Sequence, residues 1–146
     1  MTPILSNNYY VNFNEDAYVK LNGYLEKYKP SLIFILVDEN TNEHCLSLLL
    51  KELEASTIIE IIEIEAGETF KNLDTCFGVW SALTELGADR KSLLINLGGG
   101  VITDLGGFVA STFKRGISFI NIPTTLLSMV DASVGGKTGV DLGVLK

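Results

Sequence analysis

Three consecutive glycines, Gly98 to Gly100, stand between an apolar run and a segment of helical period. Glycine has no side chain to block an approach, so the N–H groups of such a turn can face an anion, and the start of the following helix adds partial positive charge. Further along, two threonines follow Pro123 and a lysine follows Gly136. These residue types in this order predict a site for phosphate or a nucleotide within residues 97–140.

Two common nucleotide-binding motifs fit this region only in part. The dinucleotide fingerprint G-x-G-x-x-G needs a glycine at position 103, where the chain has Thr103, and an acidic residue about 20 positions further on, which is missing. The P-loop motif G-x-x-x-x-G-K-[ST] matches at Gly136 and Lys137, but Asp131 replaces its first glycine. The sequence therefore argues against an ordinary Rossmann fingerprint and against a P-loop NTPase.

Apolar runs of strand length alternate along the chain with segments in which apolar residues recur every three or four positions. Strands are predicted at 9–13, 33–37, 58–64, 93–97 and 117–122, with helices between them. This order predicts an α/β fold, Rossmann-like, with a mostly parallel sheet and flanking helices. The glycine face of the fourth helix, Gly106 and Gly107, is expected to pack closely on the sheet.

Each candidate loop follows a predicted strand. The loops are 38–40, 67–71, 98–104 and 123–125. Because the carboxyl ends of parallel strands meet at one edge of a sheet, ligands bind in a crevice at that edge. One crevice is therefore expected to collect all four loops.

The charge of this chain is unevenly distributed. The formal net charge of the 146 residues is −7, but residues 1–90 carry six Lys and Arg against 15 Asp and Glu, whereas residues 91–146 carry five against three. The overall balance argues against a nucleic-acid partner, because such proteins present basic patches to the phosphate backbone. An anionic small molecule meets less repulsion in the last third than elsewhere.

The two cysteines, Cys45 and Cys76, have no CxxC spacing and no disulfide-dense context, which favours a reducing, cytoplasmic location. The first residues lack a signal peptide pattern, and no run reaches the roughly 18 apolar residues of a membrane span. No membrane partner is therefore expected. His44 and both cysteines are interpreted as helix residues without chemistry, and Phe77 and Trp80 as core.

Five short segments, taken in order, resemble the 3-dehydroquinate synthase family. They are GE(x)2K at Gly67 to Lys71, GGGVxxDLxGF at Gly98 to Phe108, RG at Arg115, PTTLL at Pro123 to Leu127 and DxSVGGKTGV at Asp131 to Val140. The resemblance covers roughly the whole chain and is nearly word-for-word from Gly98 to Val140. It implies an enzyme of the shikimate pathway that uses NAD and a divalent metal, zinc or cobalt. Its reaction converts 3-deoxy-D-arabino-heptulosonate 7-phosphate into 3-dehydroquinate and phosphate.

The resemblance also implies roles for individual residues. NAD contacts fall on Asp38, Asn40, Glu68, Lys71, Gly99, Gly100, Val101, Asp104, Thr124, Thr125, Lys137 and Lys146. Contacts with a phosphorylated sugar acid fall on Arg115, Asp131 and Lys137, with Arg115 acting across a dimer interface. The metal ligands of the family, one glutamate and two histidines, lie beyond Lys146. Neither a metal ligand nor a catalytic residue is therefore expected in this chain.

Residues 1–146 are accordingly interpreted as the N-terminal, NAD-binding domain of a homodimeric enzyme, without its helical metal-binding domain and inactive alone. The chain departs from the family at Thr103 and Leu145, where glycine is common, and at Asp141, where asparagine is frequent.

Two alternatives stay open. One is a related sugar-phosphate cyclase or an NAD- and metal-dependent polyol dehydrogenase, and the other is a nucleotide-binding module without catalysis. Taken singly, Asp104, Thr124, Thr125 and Asp131 also fit a surface, capping or turn role.

Overall fold

The computed structural model describes residues 1–6 and 9–145, and over these it contains six strands and six α-helices. In chain order they are β1 (Ile4–Ser6), β2 (Tyr9–Val11), α1 (Asn14–Tyr28), β3 (Ile33–Asp38), α2 (Glu39–His44), α3 (Leu46–Glu52), β4 (Ile59–Ile64), α4 (Leu73–Glu85), β5 (Leu93–Gly98), α5 (Gly100–Thr112), β6 (Ser118–Pro123) and α6 (Leu126–Val130). Short 3-10 helices lie at Glu68–Phe70 and Phe113–Arg115. The alternation of strands and helices confirms the predicted α/β fold.

Four parallel strands form the main sheet, in the spatial order β4-β3-β5-β6. Ile33 of β3 pairs with Ile59 of β4 on one side and Leu93 of β5 on the other, and Leu93 in turn pairs with Ser118 of β6. The strands β1 and β2 form a separate antiparallel hairpin, outside the main sheet. The predicted strand at 9–13 is therefore present as β2, but it does not extend the parallel sheet.

Both faces of the sheet are buried, because successive side chains of a strand point to opposite faces. On β3, Phe34 and Leu36 pack with α4 and α5, whereas Ile33, Ile35 and Val37 pack with α1 and α3. Every residue of β5 is buried. Helices thus cover the sheet on two sides, in a three-layer arrangement.

Two adjacent asparagines interrupt the apolar face beneath α5. The amide nitrogen of Asn96 on β5 donates to the amide oxygen of Asn121 on β6 at 2.9 Å. A Cβ atom on Gly106 of α5 would lie 1.9 Å from Oδ1 of Asn96, so only glycine fits there. The expected close packing of the helix on the sheet at Gly106 is confirmed, and it sets how near α5 lies to the site described below.

The prediction that Phe77 belongs to the core is wrong. Its side chain is 69% exposed, because α4 buries the face that carries Cys76, Val79 and Leu83. Trp80 lies at the margin of that core, where its indole N–H donates to the carbonyl of Val109 at 3.3 Å. Among residues 1–6 and 9–145, no helix combines the length and apolarity needed to cross a bilayer.

Candidate functional site

The carboxyl ends of the four parallel strands lie at one edge of the sheet, as the sequence predicts. Asp38 ends β3, Gly98 ends β5 and Pro123 ends β6, and the loop at 65–67 follows β4. These ends carry the loops singled out in the sequence. We call this side of the sheet the carboxyl edge.

The glycine turn between β5 and α5 is close-packed at its first residue and open at its third. A Cβ atom on Gly98 would lie 2.6 Å from Cβ of Ile102, and one on Gly99 would lie 3.2 Å from Cγ2 of Thr125. A Cβ atom on Gly100 would meet nothing within 4 Å. The amide of Thr124 donates to the carbonyl of Gly98 at 3.0 Å, which joins the turn to the loop after β6.

The first turn of α5 leaves backbone donors available at this edge. Gly99 is the N-cap of the helix and offers no side-chain acceptor, so the N–H groups of Gly100, Val101 and Ile102 have no acceptor within the helix. Such a helix start attracts an anion through both its donors and the helix dipole. The glycine turn and these three N–H groups therefore have the chemistry to bind a phosphate.

Thr103 stands where the resemblance implies a glycine, and its side chain does not project towards the N–H groups of the glycine turn. It is buried, and its hydroxyl hydrogen-bonds to the carbonyls of Gly99 and Gly100 at 3.1 and 3.3 Å. The hydroxyl is satisfied by its own helix. The departure at position 103 is therefore accommodated without blocking the glycine turn.

Lys71 and Asp104 form an ion pair beside the turn. Nζ of Lys71 lies 2.7 Å from Oδ2 of Asp104, and Oε1 of Glu68 lies 4.0 Å from the same nitrogen. The side chains of Lys71 and Asp104 are 16% and 23% exposed, so water screens the pair only in part. Three of the predicted cofactor residues, from two distant segments of the chain, are thus brought together.

The carboxylates around Lys71 control its protonation. Burial alone would lower the pKa of Lys71, but the hydrogen bond and charge of Asp104, with the charges of Glu68 and Asp141, outweigh it and raise the pKa. The ammonium form is therefore held firmly at neutral pH. It supplies a fixed positive charge at the carboxyl edge.

The segment 137–141 folds back onto this ion pair. The amide of Asp141 donates to the carbonyl of Lys71 at 2.8 Å, and the amide of Gly139 donates to the carbonyl of Asp104 at 3.3 Å. A cavity opens between these segments, lined by Lys71, Asp104, Lys137, Thr138, Gly139, Val140 and Asp141. Lys137, predicted to contact both cofactor and substrate, therefore shares one cavity with Lys71 and Asp104.

Asp38 and Asn40 lie at the end of the neighbouring strand β3. Asp38 is the N-cap of α2, and its Oδ1 accepts hydrogen bonds from the backbone N–H and the hydroxyl of Thr41 at 2.8 and 3.1 Å. Asn40 is exposed in the first turn of that helix. The cap fixes the orientation of the Asp38 carboxylate, and sequence reasoning did not identify Thr41 as its partner.

Thr124, Thr125 and Asp131 follow β6. Thr125 is the N-cap of α6 and shares a capping box with Ser128, which confirms the capping interpretation for this threonine. Asp131 is the C-cap of the same helix and is exposed, and its carbonyl accepts from the amide of Gly135 at 2.8 Å. The helix α6 therefore has one predicted cofactor residue and one predicted substrate residue at its two ends.

Arg115 lies at the opposite edge of the sheet, in the turn that precedes β6. Lys114 and Arg115 are exposed and have positive φ angles of 47° and 70°, a conformation that side chains rarely adopt. The structure does not bring Arg115 to the carboxyl edge within one chain. Lys146, also predicted to contact the cofactor, lies outside the described residues.

The histidine and cysteines take no part in this site. Burial raises the pKa of Cys76 to about 11, so the thiol stays protonated and unreactive. Over the parts of the chain that the structure describes, no three His, Cys, Asp or Glu side chains are grouped as a metal site requires. The residues present therefore do not fit a divalent metal.

The profile described as 3-dehydroquinate synthase N-terminal matches residues 61–146 of this chain. The chain belongs to the 3-dehydroquinate synthase family. It is 48% identical over 132 residues to 3-dehydroquinate synthase of Parabacteroides distasonis and 46% identical over 132 residues to that of Campylobacter jejuni. Each alignment covers 90% of this chain and 37% of the relative. The chain thus spans little more than a third of the length of these members of the family.

Solved structures share the fold of this member of the 3-dehydroquinate synthase family. A 2-deoxy-scyllo-inosose synthase, solved with carbaglucose-6-phosphate, NAD+ and Co2+, superposes with a TM-score of 0.84 at 23% identity and covers 97% of this chain. The 2-epi-5-epi-valiolone synthase from Streptomyces hygroscopicus subsp. jinggangensis, solved with NAD+ and Zn2+, gives 0.69 at 29% identity over 96% of this chain. This chain covers 40% of each of those chains.

Four residues that line the cavity were not among the predicted contacts: Thr138, Gly139, Val140 and Asp141. They follow Lys137 directly, and the first three lie in the DxSVGGKTGV segment, so the family motif was the signal that could have included those three. Gly107 explains why the segment 137–141 can lie against α5, because a Cβ atom at Gly107 would lie 2.3 Å from Cγ2 of Thr138. The bare helix surface at Gly107 lets the segment approach α5.

Proposed function

We propose that this chain is the NAD-binding part of a 3-dehydroquinate synthase. The complete enzyme converts 3-deoxy-D-arabino-heptulosonate 7-phosphate into 3-dehydroquinate and phosphate. The observation that carries the proposal is 48% identity to a 3-dehydroquinate synthase over 90% of the chain. The grouping of Lys71, Asp104 and Lys137 at one cavity beside the glycine turn supports it.

The open donors of α5 fit the pyrophosphate of NAD. Gly100 leaves space for a close approach, and the N–H groups of Gly100 to Ile102 have no acceptors in the helix. Asp38, fixed by its cap, would accept hydrogen bonds from a ribose hydroxyl. Thr124 would complete the cradle beside Gly98.

Lys71 and Lys137 supply positive charge where cofactor and substrate meet. The carboxylates around Lys71 keep it protonated, so it can hold an anionic or hydroxyl oxygen without itself donating a proton to the reaction. Lys137 is exposed in the lining of the same cavity, where its ammonium group would bind the substrate phosphate. The role of these residues is to bind and orient.

When bound, NAD supplies reversible hydride transfer, and a divalent metal polarises the substrate oxygens. The described residues do not form a metal site, so its ligands must come from the part of the full-length protein that the relatives possess beyond this match. We assign to this chain the binding of NAD and of one side of the substrate. The domain boundary and the homodimer belong to the same proposal.

A direct test uses the full-length protein with 3-deoxy-D-arabino-heptulosonate 7-phosphate, NAD and Zn2+. Phosphate and 3-dehydroquinate should appear in equal amounts, the first measured colorimetrically and the second by mass spectrometry. Lys137→Met should lower kcat/KM by roughly 10- to 150-fold, because a hydrogen bond to a charged group contributes about 1.5–3 kcal/mol. Lys51→Met, on the exposed end of α3, is the matched control and should leave kcat/KM unchanged.

The same assay separates the alternatives. Turnover of another sugar phosphate, with no phosphate released from the heptulosonate, would identify a related cyclase. Accumulation of NADH from a simple polyol would identify a dehydrogenase. Binding of NAD by the full-length protein without turnover of either substrate class would indicate a module without catalysis. Each of these results contradicts the proposal.

A further inference from the structure

The short helix α6 presents its apolar residues to water. Leu126, Leu127, Met129 and Val130 are 76%, 69%, 46% and 68% exposed, whereas Ser128 is fully buried. This is the reverse of the pattern of a surface helix, which turns its apolar side chains towards the core. We call these four side chains the α6 surface.

The helix is nevertheless well defined. Thr125 and Ser128 form a capping box, and the helix contacts α5 and β6. A helix of five residues has little stability of its own, so these polar contacts hold it in place while its apolar side chains stay outside. A contiguous group of exposed apolar residues in a soluble protein marks a surface that another element covers.

We propose that the α6 surface is the docking site for the part of the full-length protein that follows residue 146. This inference rests on the proposed function, because it takes the chain to be part of a longer enzyme. The 3-dehydroquinate synthases it resembles are nearly three times as long as the matched segment, which is 37% of their length. Chain that follows α6 so closely can reach it, and Leu142, Val144 and Leu145 extend the exposed apolar character along the connecting segment.

Docking on α6 would affect the binding of both the cofactor and the substrate. Thr125 precedes the helix and Asp131 follows it, and five helical residues span only about 7.5 Å. A partner that covers Leu127 and Val130 therefore fixes a predicted cofactor residue and a predicted substrate residue at once. Assembly of the two parts of the enzyme is in this way linked to the geometry of its site.

Thiol labelling of the full-length protein tests the docking surface. Leu127→Cys and Val130→Cys place a thiol on α6, and Leu48→Cys places one on α3, where the native leucine is 58% exposed. Each variant is treated with a maleimide under native conditions, and modification at each position is followed by peptide mass spectrometry. The thiols at 127 and 130 should react at least about tenfold more slowly than the thiol at 48, because covered side chains react only after local opening.

Equal reactivity at the three positions would overturn the proposal, as would a natural chain that stops at residue 146. Slow reactivity that is lost when the protein is diluted to a monomer would also overturn it, because a second copy would then be the cover. Labelling is independent of turnover. Protected thiols in a protein that releases no phosphate would support the docking surface and contradict the proposed activity. Reactive thiols in an active enzyme would support the proposed activity and contradict the docking surface.

Discussion

Gly106 is the residue at which α5 and the sheet approach most closely, since Oδ1 of Asn96 occupies the space of a side chain. Gly106→Ala should destabilise the fold by about 1–3 kcal/mol, the cost of overpacking a core. Gly78→Ala on the exposed face of α4 meets nothing within 4 Å and should instead stabilise by up to about 1 kcal/mol. Urea unfolding of the natural protein and of the two variants measures both changes in the free energy of unfolding.

The Asn96 side chain itself provides the decisive control. In an Asn96→Ala background the obstructing amide is gone, so Gly106→Ala should cost less than it does in the natural sequence. Equal costs in the two backgrounds would contradict the assignment of the contact to Asn96.

The charge of Asp104 holds Lys71 protonated, which has a consequence at high pH. Because the pKa of Lys71 is raised above the usual 10.5, the pair stabilises the fold below that pH, and the stabilisation is lost as pH rises through the raised pKa. The difference in Tm between the natural protein and Asp104→Asn should thus be constant up to about pH 10 and shrink above it. Asp74→Asn, exposed in the first turn of α4, is the control.

A difference in Tm for Asp104→Asn that stays constant up to about pH 11.5 would show that Lys71 does not depend on Asp104 for its protonation. For Asp74→Asn, a constant difference over the same range is the expected result.

At the scale of the elements, the residue that caps α2 combines a structural role with a proposed role in cofactor binding. Asp38 caps the helix and is also proposed to contact a ribose. Asp38→Asn should keep stability within about 0.5 kcal/mol, because asparagine caps as well as aspartate, whereas Asp38→Ala should cost about 1 kcal/mol. Both should weaken NAD binding, measured by calorimetry on the full-length protein. Equal losses of stability for the two variants would contradict the capping role.

The sequence predicted the four strands of the parallel sheet closely, because its two central strands, β3 and β5, are buried on both faces. The runs 33–37 and 93–97 each fall one residue short of the observed β3 and β5. The run 58–64 differs from β4 by one residue at its start, and 117–122 is shifted by one residue from β6 at both ends. Continuous apolar runs bounded by turns leave little freedom in such strands. The carboxyl edge followed from the same pattern.

Other features depended on tertiary contacts, which the spacing of residues in the sequence does not reveal. Phe77 shares helical spacing with Leu73 and Trp80, so periodicity alone could not show that α4 turns the phenylalanine outwards. The pairing of Lys71 with Asp104 joins positions 33 residues apart. The strand pattern placed their two loops in one crevice, but it did not show that these two side chains form an ion pair. The capping partners Thr41 and Ser128 are local, and their spacing could have been recognised.

Across the whole molecule, the two edges of the sheet have different characters. The carboxyl edge collects the glycine turn, the Lys71–Asp104 pair and the cavity that Lys137 lines. The opposite edge is closed by a hydrogen-bonded group in which the carboxylate of Asp89 accepts from the hydroxyls of Ser31 and Ser92. Binding of NAD should therefore alter one edge and leave the other unchanged.

Hydrogen–deuterium exchange of the full-length protein with and without NAD tests this account most directly. We expect NAD to slow exchange in the segments 38–41, 68–71, 98–104 and 124–125, which lie at the carboxyl edge, and to leave 89–92 unchanged at the opposite edge. NAD that slows exchange at 89–92 but not at 98–104, or that slows it nowhere in residues 1–145, would contradict the assignment of the cofactor site.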